Sequence, residues 1–409
     1  MSPATGVHGL FVTFGLVVAA FFPFLAIYLA GRGLSAAEIG VVIATMAVVR
    51  IVVNPFWGHV ADTKIGRLRA LQLGAAGAAA GAISANLVQG VPAIAASASV
   101  VAAFMVSTGA NIDAIALVHL GGERMSDYGR IRAWESLSYA SGCLVFGTIL
   151  EAAGVHLAMP IYAIASLLVL AWSTSIARDR PAPLASHGRL GSVGAVFREA
   201  PRFWGFLAAV VLLWTGFNAA WNFIALKISS EGGGPLLIGI GTALGGLVEV
   251  PMMRFSSRVQ RRWGLRRVYV TGCCIYALGF LLWGLIDSPT VVSFLTVFEG
   301  AGFALLFTTT VVVIGRLLPS TLYSTGNAVA QMVGFGISPI IGAGAGGFVY
   351  EHLGPVVLYT CASSLTLLAA GVAWIALSTP ALAVPEGVAA TTPQMVAPEP
   401  PPAPGEVVP

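Results

Sequence analysis

Charge is scarce in this chain. Only 9% of its 409 residues are Asp, Glu, Lys or Arg, while 57% are hydrophobic. The mean hydropathy is +0.88. A soluble domain carries about 25% charged residues, so this chain cannot cover a water-facing surface, and lipid is the solvent for most of it. Cysteine is equally sparse. Cys143, Cys273, Cys274 and Cys361 all fall inside apolar runs, and none belongs to a CxxC or Cys/His cluster. Neither a disulfide framework nor a zinc site is indicated, and the four read as small side chains in helix packing. No GxxxxGK[ST] stretch occurs, which argues against ATP as the energy source. No Ser/His/Asp or HExxH constellation is present either: His8, His59, His119, His156, His187 and His352 lie outside the apolar runs or at their edges. The chain is therefore not read as an enzyme, and no cofactor or metal is implied. A net charge of +4 would suit a nucleic-acid binder, but the basic residues are spread over short loops, as in membrane proteins with basic cytoplasmic loops.

What remains is long apolar runs. A membrane span needs roughly 20 mainly apolar residues. Twelve runs of that size occur, near 10–31, 36–57, 70–89, 92–118, 131–151, 156–177, 203–228, 236–255, 268–287, 290–315, 322–349 and 354–377. They are too long and too uniformly apolar for barrel strands, so helices are expected. The third and fourth are rich in Ala and Gly and parted only by Gly90-Val91-Pro92. The first run has no basic region before it and no small-residue cleavage site, so it reads as a span and not a removable leader.

The longest internal polar segment, 178–202, divides the runs six and six, and a Pro-rich stretch without apolar periodicity follows from 379 to 409. The expected organisation is an all-α polytopic membrane protein of twelve transmembrane helices in two pseudo-symmetric six-helix halves. The halves are 1–177 and 203–378, with 178–202 as a cytoplasmic linker and 379–409 as a disordered tail. Gly66-Arg67-Leu68-Arg69 before the third run is echoed by Gly264-Leu265-Arg266-Arg267 before the ninth, and duplicated halves are a usual plan of secondary transporters. Placing both termini in the cytoplasm puts Lys64, Arg67, Arg69, Arg124, Arg130, the five arginines of 178–202, the Arg254–Arg267 cluster and Arg316 on that side. Only Arg32 and Lys227 fall opposite, an asymmetry that sets the orientation.

Charges inside apolar runs mark function, because an ionised group at bilayer depth costs a few kcal/mol unless it is paired, protonated or beside water. The stretch Asn111 to Tyr139 is a hydrophilic turn between two runs, with Asp113 before the turn and Arg132 and Glu135 after it. Arg132 and Glu135, three apart, share a helix face. With Arg50 they give the first half two positive and two negative groups, either a substrate-binding network or a set of structural ion pairs. The second half holds Glu249 and Glu299 with no Lys or Arg comparably deep. A buried carboxylate without a cation relieves its desolvation by taking a proton, which is what a proton-coupling site requires. Direct binding of a cationic substrate is the other reading. Glu249, near the end of its run, also fits a plain hydrogen bond between helices. Trp214, Asn218, Trp221 and Asn222 recur at spacings of three and four, a stripe that would stack on and hydrogen-bond a ring, or else pack on neighbouring helices. Asn327 and Gln331 are weaker candidates of the same kind.

The loop Gly58-His59-Val60-Ala61-Asp62-Thr63-Lys64-Ile65-Gly66-Arg67-Leu68-Arg69 resembles the signature between the second and third spans of the major facilitator superfamily. Tyr128-Gly129-Arg130-Ile131-Arg132-Ala133-Trp134-Glu135-Ser136 resembles the opening of the fifth span in its phenylpropionate-permease-like branch, related to nucleoside and oligosaccharide proton symporters. Glu249-Val250 and the stretch from Gly342 to Glu351 are similar to the same branch. The chain departs from that pattern at four places: Glu135 replaces a glycine, Gly279 an arginine, Glu299 a histidine, and Asn218-Ala219 a Ser-His pair. The resemblance implies substrate binding by Asp113 and Arg132, and a gate latch built from Gly58, Asp62, Gly66 and Arg67. It further implies a monomeric, multi-pass protein of a bacterial inner membrane, moving a small organic solute with protons by alternating access. Its partners would be that solute, protons and the bilayer, with neither nucleic acid nor ATP. An antiporter that exports a drug or metabolite would use the same buried charges. A membrane enzyme would need a reactive constellation, and a sensor would bind ligand without flux.

Overall fold

The structure, a computed structural model, describes residues 3–120, 128–176, 194, 196, 198 and 200–378. Most of the linker 178–202, the tail 379–409 and the turn at 121–127, with Arg124, lie outside the described residues. Each of the twelve apolar runs is helical. Ten fall on helices long and apolar enough to cross a membrane, and an eleventh is a pair bent by 41°. That pair is α1 (Pro3–Phe21) and α2 (Leu25–Gly31). The remaining run is α4 (Arg67–Leu87). Its Ala and Gly content lowers its hydropathy, but its 21 residues still reach about 31 Å at 1.5 Å per residue.

The other helices of the first half are α3 (Ala36–Val60), continued by a π-helical turn Ala61–Ile65, then α5 (Val91–Leu120), α6 (Tyr128–Ala153) and α7 (Ala158–Ser173). The second half begins with α8 (Pro201–Trp221), α9 (Ile224–Ser230), α10 (Pro235–Trp263) and α11 (Leu265–Leu285). It continues with α12 (Pro289–Phe294), α13 (Thr296–Leu317), α14 (Ser320–Met332), a π-helical turn Val333–Ile337, α15 (Ser338–Leu353) and α16 (Pro355–Ala376). The spans persist because each helix satisfies its backbone groups internally, which lipid cannot do for it.

The two halves repeat one packing pattern. In the first, α1 packs on α6 and α7, α3 on α5, and α4 on α5 and α7. In the second, α8 packs on α15 and α16, α10 on α13, and α11 on α13 and α16. Every pair recurs six spans later. The turns recur too: Gly66 and Gly264, at φ 81° and 79°, each stop one helix and start the next. That left-handed conformation favours glycine, which explains why the echoed tetrapeptides both open on it.

The halves meet along two seams, α3 against α15 and α6 against α10, with α2 also touching α9. Glycines set the spacing. A β-carbon on Gly40 would collide with the Ala343 carbonyl, and one on Gly347 with that of Ala36. On the other seam Gly239 faces the Cys143 carbonyl in the same way, and Gly147 faces Pro235. These contacts cluster at one end of the bundle, near the start of α3 and α10 and the finish of α6 and α15. Small residues let helices approach this closely in lipid. Of the four cysteines, Cys143 and Cys273 are buried as expected for packing groups, but Cys274 and Cys361 are exposed on the helix surface.

Candidate functional site

Of the charges in the apolar runs Glu299 is buried, Arg50, Asp113, Glu135 and Glu249 are half-buried, and Arg132 is exposed. Glu299 sits in the first turn of α13, just after the break at Leu295, and is 5% exposed. Among the described residues it makes no ion pair. Gly245 of α10 lies directly against it, 3.0 Å from Oε2 to an ideal β-carbon position. Glu249 is one turn further along α10 on the same face. The apolar run suggested that Glu249 lies near a helix end, but α10 continues to Trp263, so Glu249 is mid-helix. The longer helix is carried by Arg254, Arg258, Arg261 and Arg262, whose charge had ended the apolar run at about 255. The two carboxylates share an electrostatic neighbourhood with each other and with the phenols of Tyr139 on α6 and Tyr276 on α11. Tyr276 Oη is buried without a hydrogen-bond partner among the described residues. Arg132 of α6, in the opposite half, acts electrostatically on Glu249 across the seam, and the two form no ion pair among the described residues.

Arg132 also reaches Glu135, Nη2 to Oε1 3.8 Å, as expected for a pair three apart. Asp113 of α5 does not join Arg132 in an ion pair among the described residues. Its partner is Tyr128, whose Oη donates to Oδ1 at 2.8 Å. Tyr128 opens α6, holds Asp113 by that hydrogen bond, and lies within the electrostatic reach of Arg132 and Glu135 as well. Arg50 of α3 is half-buried with no ion pair among the described residues. Beside it, Ile51 packs on Gly336 in the π-helical turn of the α14–α15 span, which brings Arg50 to the seam.

The stripe on α8 divides. Trp214 is buried, ringed by Phe335, Phe303 and Phe217 at centroid distances of 4.7, 5.8 and 5.2 Å. It lines a small cavity with Phe307, Thr310, Asn327, Gln331 and Phe335. Trp221 stacks on Phe217 at 5.9 Å. The amide nitrogens of Asn218 and Asn222 are spent on the Trp214 and Asn218 carbonyls of their own helix, at 2.7 Å each, which leaves their amide oxygens as acceptors. Asp62 and Arg67 form an ion pair of 3.2 Å from the π-helical turn to the first turn of α4. Gly66 between them takes the positive φ, whereas Gly58 faces open space and has no steric need for glycine.

Sequence reasoning missed Tyr128, Tyr139, Tyr276, Gly245 and the phenylalanines around Trp214. Tyr128 stood inside the quoted motif, and Tyr139 follows Glu135 by four, on the same helix face. Nothing in the chain order could bring Tyr276 or Phe335 to the site, because both arrive through helix packing between distant segments.

A twelve-helix bundle of two repeated halves, with charged groups collected at the seam, is the architecture of a secondary transporter. The chain belongs to the MFS_1 like family, whose family model matches residues 8–361. It is 28% identical over 368 residues to the maltose permease of Geobacillus stearothermophilus, covering 86% of this chain and 88% of that one. It is 26% identical over 178 residues to the probable 3-phenylpropionic acid transporter of Escherichia coli (strain K12), covering 42% of this chain and 45% of that one. The crystal structure of the nucleoside transporter NupG superposes with a TM-score of 0.82 at 14% identity, over 93% of this chain and 100% of that one. The protein is a multi-pass membrane transporter of the major facilitator type.

Proposed function

We propose that the protein is a proton symporter of a small, hydroxyl-rich solute, a sugar or nucleoside, working by alternating access. The observation that carries this reading is Glu299: a carboxylate buried at the seam, with no cation in ion-pair range among the described residues and Glu249 on the facing helix. Two such groups cannot both be charged there without large cost, so at least one exchanges a proton as water reaches the seam. Glu299 and Glu249 are the proposed proton carriers. Asp113, Arg132, Glu135, Arg50, Trp214, Asn218, Trp221 and Asn222 are proposed to receive the solute, and Gly58, Asp62, Gly66 and Arg67 to form the latch at the basic end. The neutral, aromatic-and-amide lining of the cavity at Trp214 supports a solute rich in hydroxyls. So do the relatives named maltose permease and nucleoside transporter. The proposed setting is a bacterial inner membrane, with the basic end and both termini in the cytoplasm, the halves 1–177 and 203–378 joined by 178–202, and a monomer as the working unit.

The test is uptake and counterflow in proteoliposomes with an imposed pH gradient, against a panel of maltose, nucleosides and aromatic acids. External acid drives uptake of the substrate if the protein is a symporter, and lowers its retention if it is an antiporter. Glu299→Gln abolishes pH-driven accumulation and leaves solute exchange measurable. Unchanged accumulation in that variant would remove Glu299 from the mechanism.

A second reading, an aromatic carboxylate as solute, is favoured by Arg50. Arg50 is next in the chain to Ile51, which packs on Gly336 at the seam, and it has no ion-pair partner among the described residues; one relative is named a probable 3-phenylpropionic acid transporter. In that case phenylpropionate, not maltose, shows saturable counterflow, and Arg50→Gln loses it.

A further inference from the structure

The basic end of the second half carries arginines with no ion-pair partner among the described residues. Arg254, Arg258, Arg261 and Arg262 occupy the last turns of α10, and Arg266 and Arg267 the first turn of α11. All but Arg266 are exposed, and among the described residues none of the six is ion-paired. The repeated corner of the first half carries its charge differently. There Asp62, four residues before Gly66, pairs with Arg67 at 3.2 Å. Four residues before Gly264 stands Gln260, buried and turned into the core toward the hydroxyls of Thr308 and Thr309 at 3.3 and 3.2 Å. The second corner lacks the acid, has Leu265 in the place of Arg67, and carries arginines at 261, 262, 266 and 267 instead.

Outward-facing rings accompany these arginines. The Arg266 guanidinium lies 3.5 Å from the centroid of Trp374 on α16, and that of Arg258 lies 5.4 Å over Phe255. Trp374, Phe255 and Trp263 are 45%, 47% and 49% exposed on the surface of the bundle. The Arg266 Nε–H is buried without a hydrogen-bond partner among the described residues. Exposed tryptophans with arginines at the end of spanning helices mark the level of the lipid headgroups. Basic clusters at that level attract anionic ones.

We propose that this corner, where α10 runs into α11 beside α16, binds the phosphodiester of an anionic phospholipid, whose negative charge offsets the arginines. Arg262, Arg266 and Arg267 hold the headgroup, and Trp374 fixes the Arg266 guanidinium flat against the protein so that its remaining N–H groups face the lipid. Arg266, Arg267 and Trp374 stand on α11 and α16, which take no part in the two seams, so the bound lipid braces the second half without entering the solute path.

The experiment is native mass spectrometry of the full chain, released from phosphatidylcholine nanodiscs carrying a titrated fraction of phosphatidylglycerol. The parent protein retains phosphatidylglycerol in preference to phosphatidylcholine. The triple variant Arg262→Gln, Arg266→Gln, Arg267→Gln loses affinity by roughly fivefold per arginine removed, and the corresponding triple lysine variant keeps most of it. Melting in pure phosphatidylcholine confirms that each variant is folded, with Arg266→Gln alone as the fallback. Equal retention by parent and glutamine variant overturns the proposal. So does full displacement of the lipid by inorganic phosphate. So does retention that arises only after residues 385–409 are deleted, because the patch would then serve the acidic residues of the chain's own tail.

Discussion

The Glu299 carboxylate and Gly245 are in contact across α13 and α10, with Oε2 3.0 Å from the place where a side chain on Gly245 would begin. One residue on, Gly300 presses on the Gly245 carbonyl so closely that a β-carbon there would collide with it. The glycine pair brings the two backbones together and leaves the carboxylate a slot with no room to spare. Gly245→Ala is therefore expected to push Glu299 off its position, lowering pH-driven accumulation while solute exchange persists. Gly300→Ala overpacks backbone against backbone and is expected to lower stability by about 1–3 kcal/mol, read as a lower melting temperature in detergent. Two alanine variants that both melt and transport like the parent would show that the contact has no mechanical role.

The Tyr128–Asp113 hydrogen bond predicts a different outcome. At 2.8 Å it ties the start of α6 to α5, and Arg132 and Glu135 lie within one or two turns of it. A hydrogen bond to a charged group contributes roughly 1.5–3 kcal/mol, so Tyr128→Phe is expected to weaken solute binding by about tenfold or more through misplacement of Asp113. Asp113→Asn keeps an acceptor oxygen and is expected to lose less. Titration of the purified variants with the solute found in counterflow decides the matter, and equal affinity in Tyr128→Phe and the parent would detach the phenol from the site.

These relationships show where the chain order was informative and where it was not. The spans were legible because hydrocarbon imposes one rule on every residue of a run, and a sum over about 20 residues is robust to single exceptions. Rule and exception part at α10. The run ended at 255, one residue past the first arginine, yet the helix continues through Arg258, Arg261 and Arg262 to Trp263, because arginines at a membrane boundary extend into water without breaking backbone hydrogen bonds. Asp113, Arg132, Glu249 and Glu299 stood out through the cost of charge in oil, which needs no partner to be noticed. Their partners did not stand out. Tyr139 and Tyr276 look like ordinary apolar-run residues until α6, α10, α11 and α13 are packed together. That packing is set by glycine contacts such as Gly245 with Gly300, which in one dimension are only two small residues far apart in the chain.

The last prediction concerns the closed end of the bundle. Glu351, at the finish of α15, accepts a hydrogen bond from the backbone N–H of Ala37 at 2.7 Å. Glu151, at the finish of α6, accepts one from the N–H of Leu236 at 3.1 Å. Ala37 and Leu236 are each the second residue of their helix, α3 and α10, and each carboxylate belongs to the opposite half. Helix starts favour negative charge and carry free N–H groups, so both acids fasten one half to the other in the same register, once per seam. Replacing Glu151 and Glu351 together by alanine is expected to shift the bundle toward opening at this end. The measurement is the distance between spin labels at Ala153 and Leu353, in a background whose four cysteines are serine. A longer distance should become populated in the double alanine variant and less so in the double glutamine variant, which retains acceptor oxygens without the charge. Identical distance distributions in all three proteins would mean that the glycine seams alone hold this end shut.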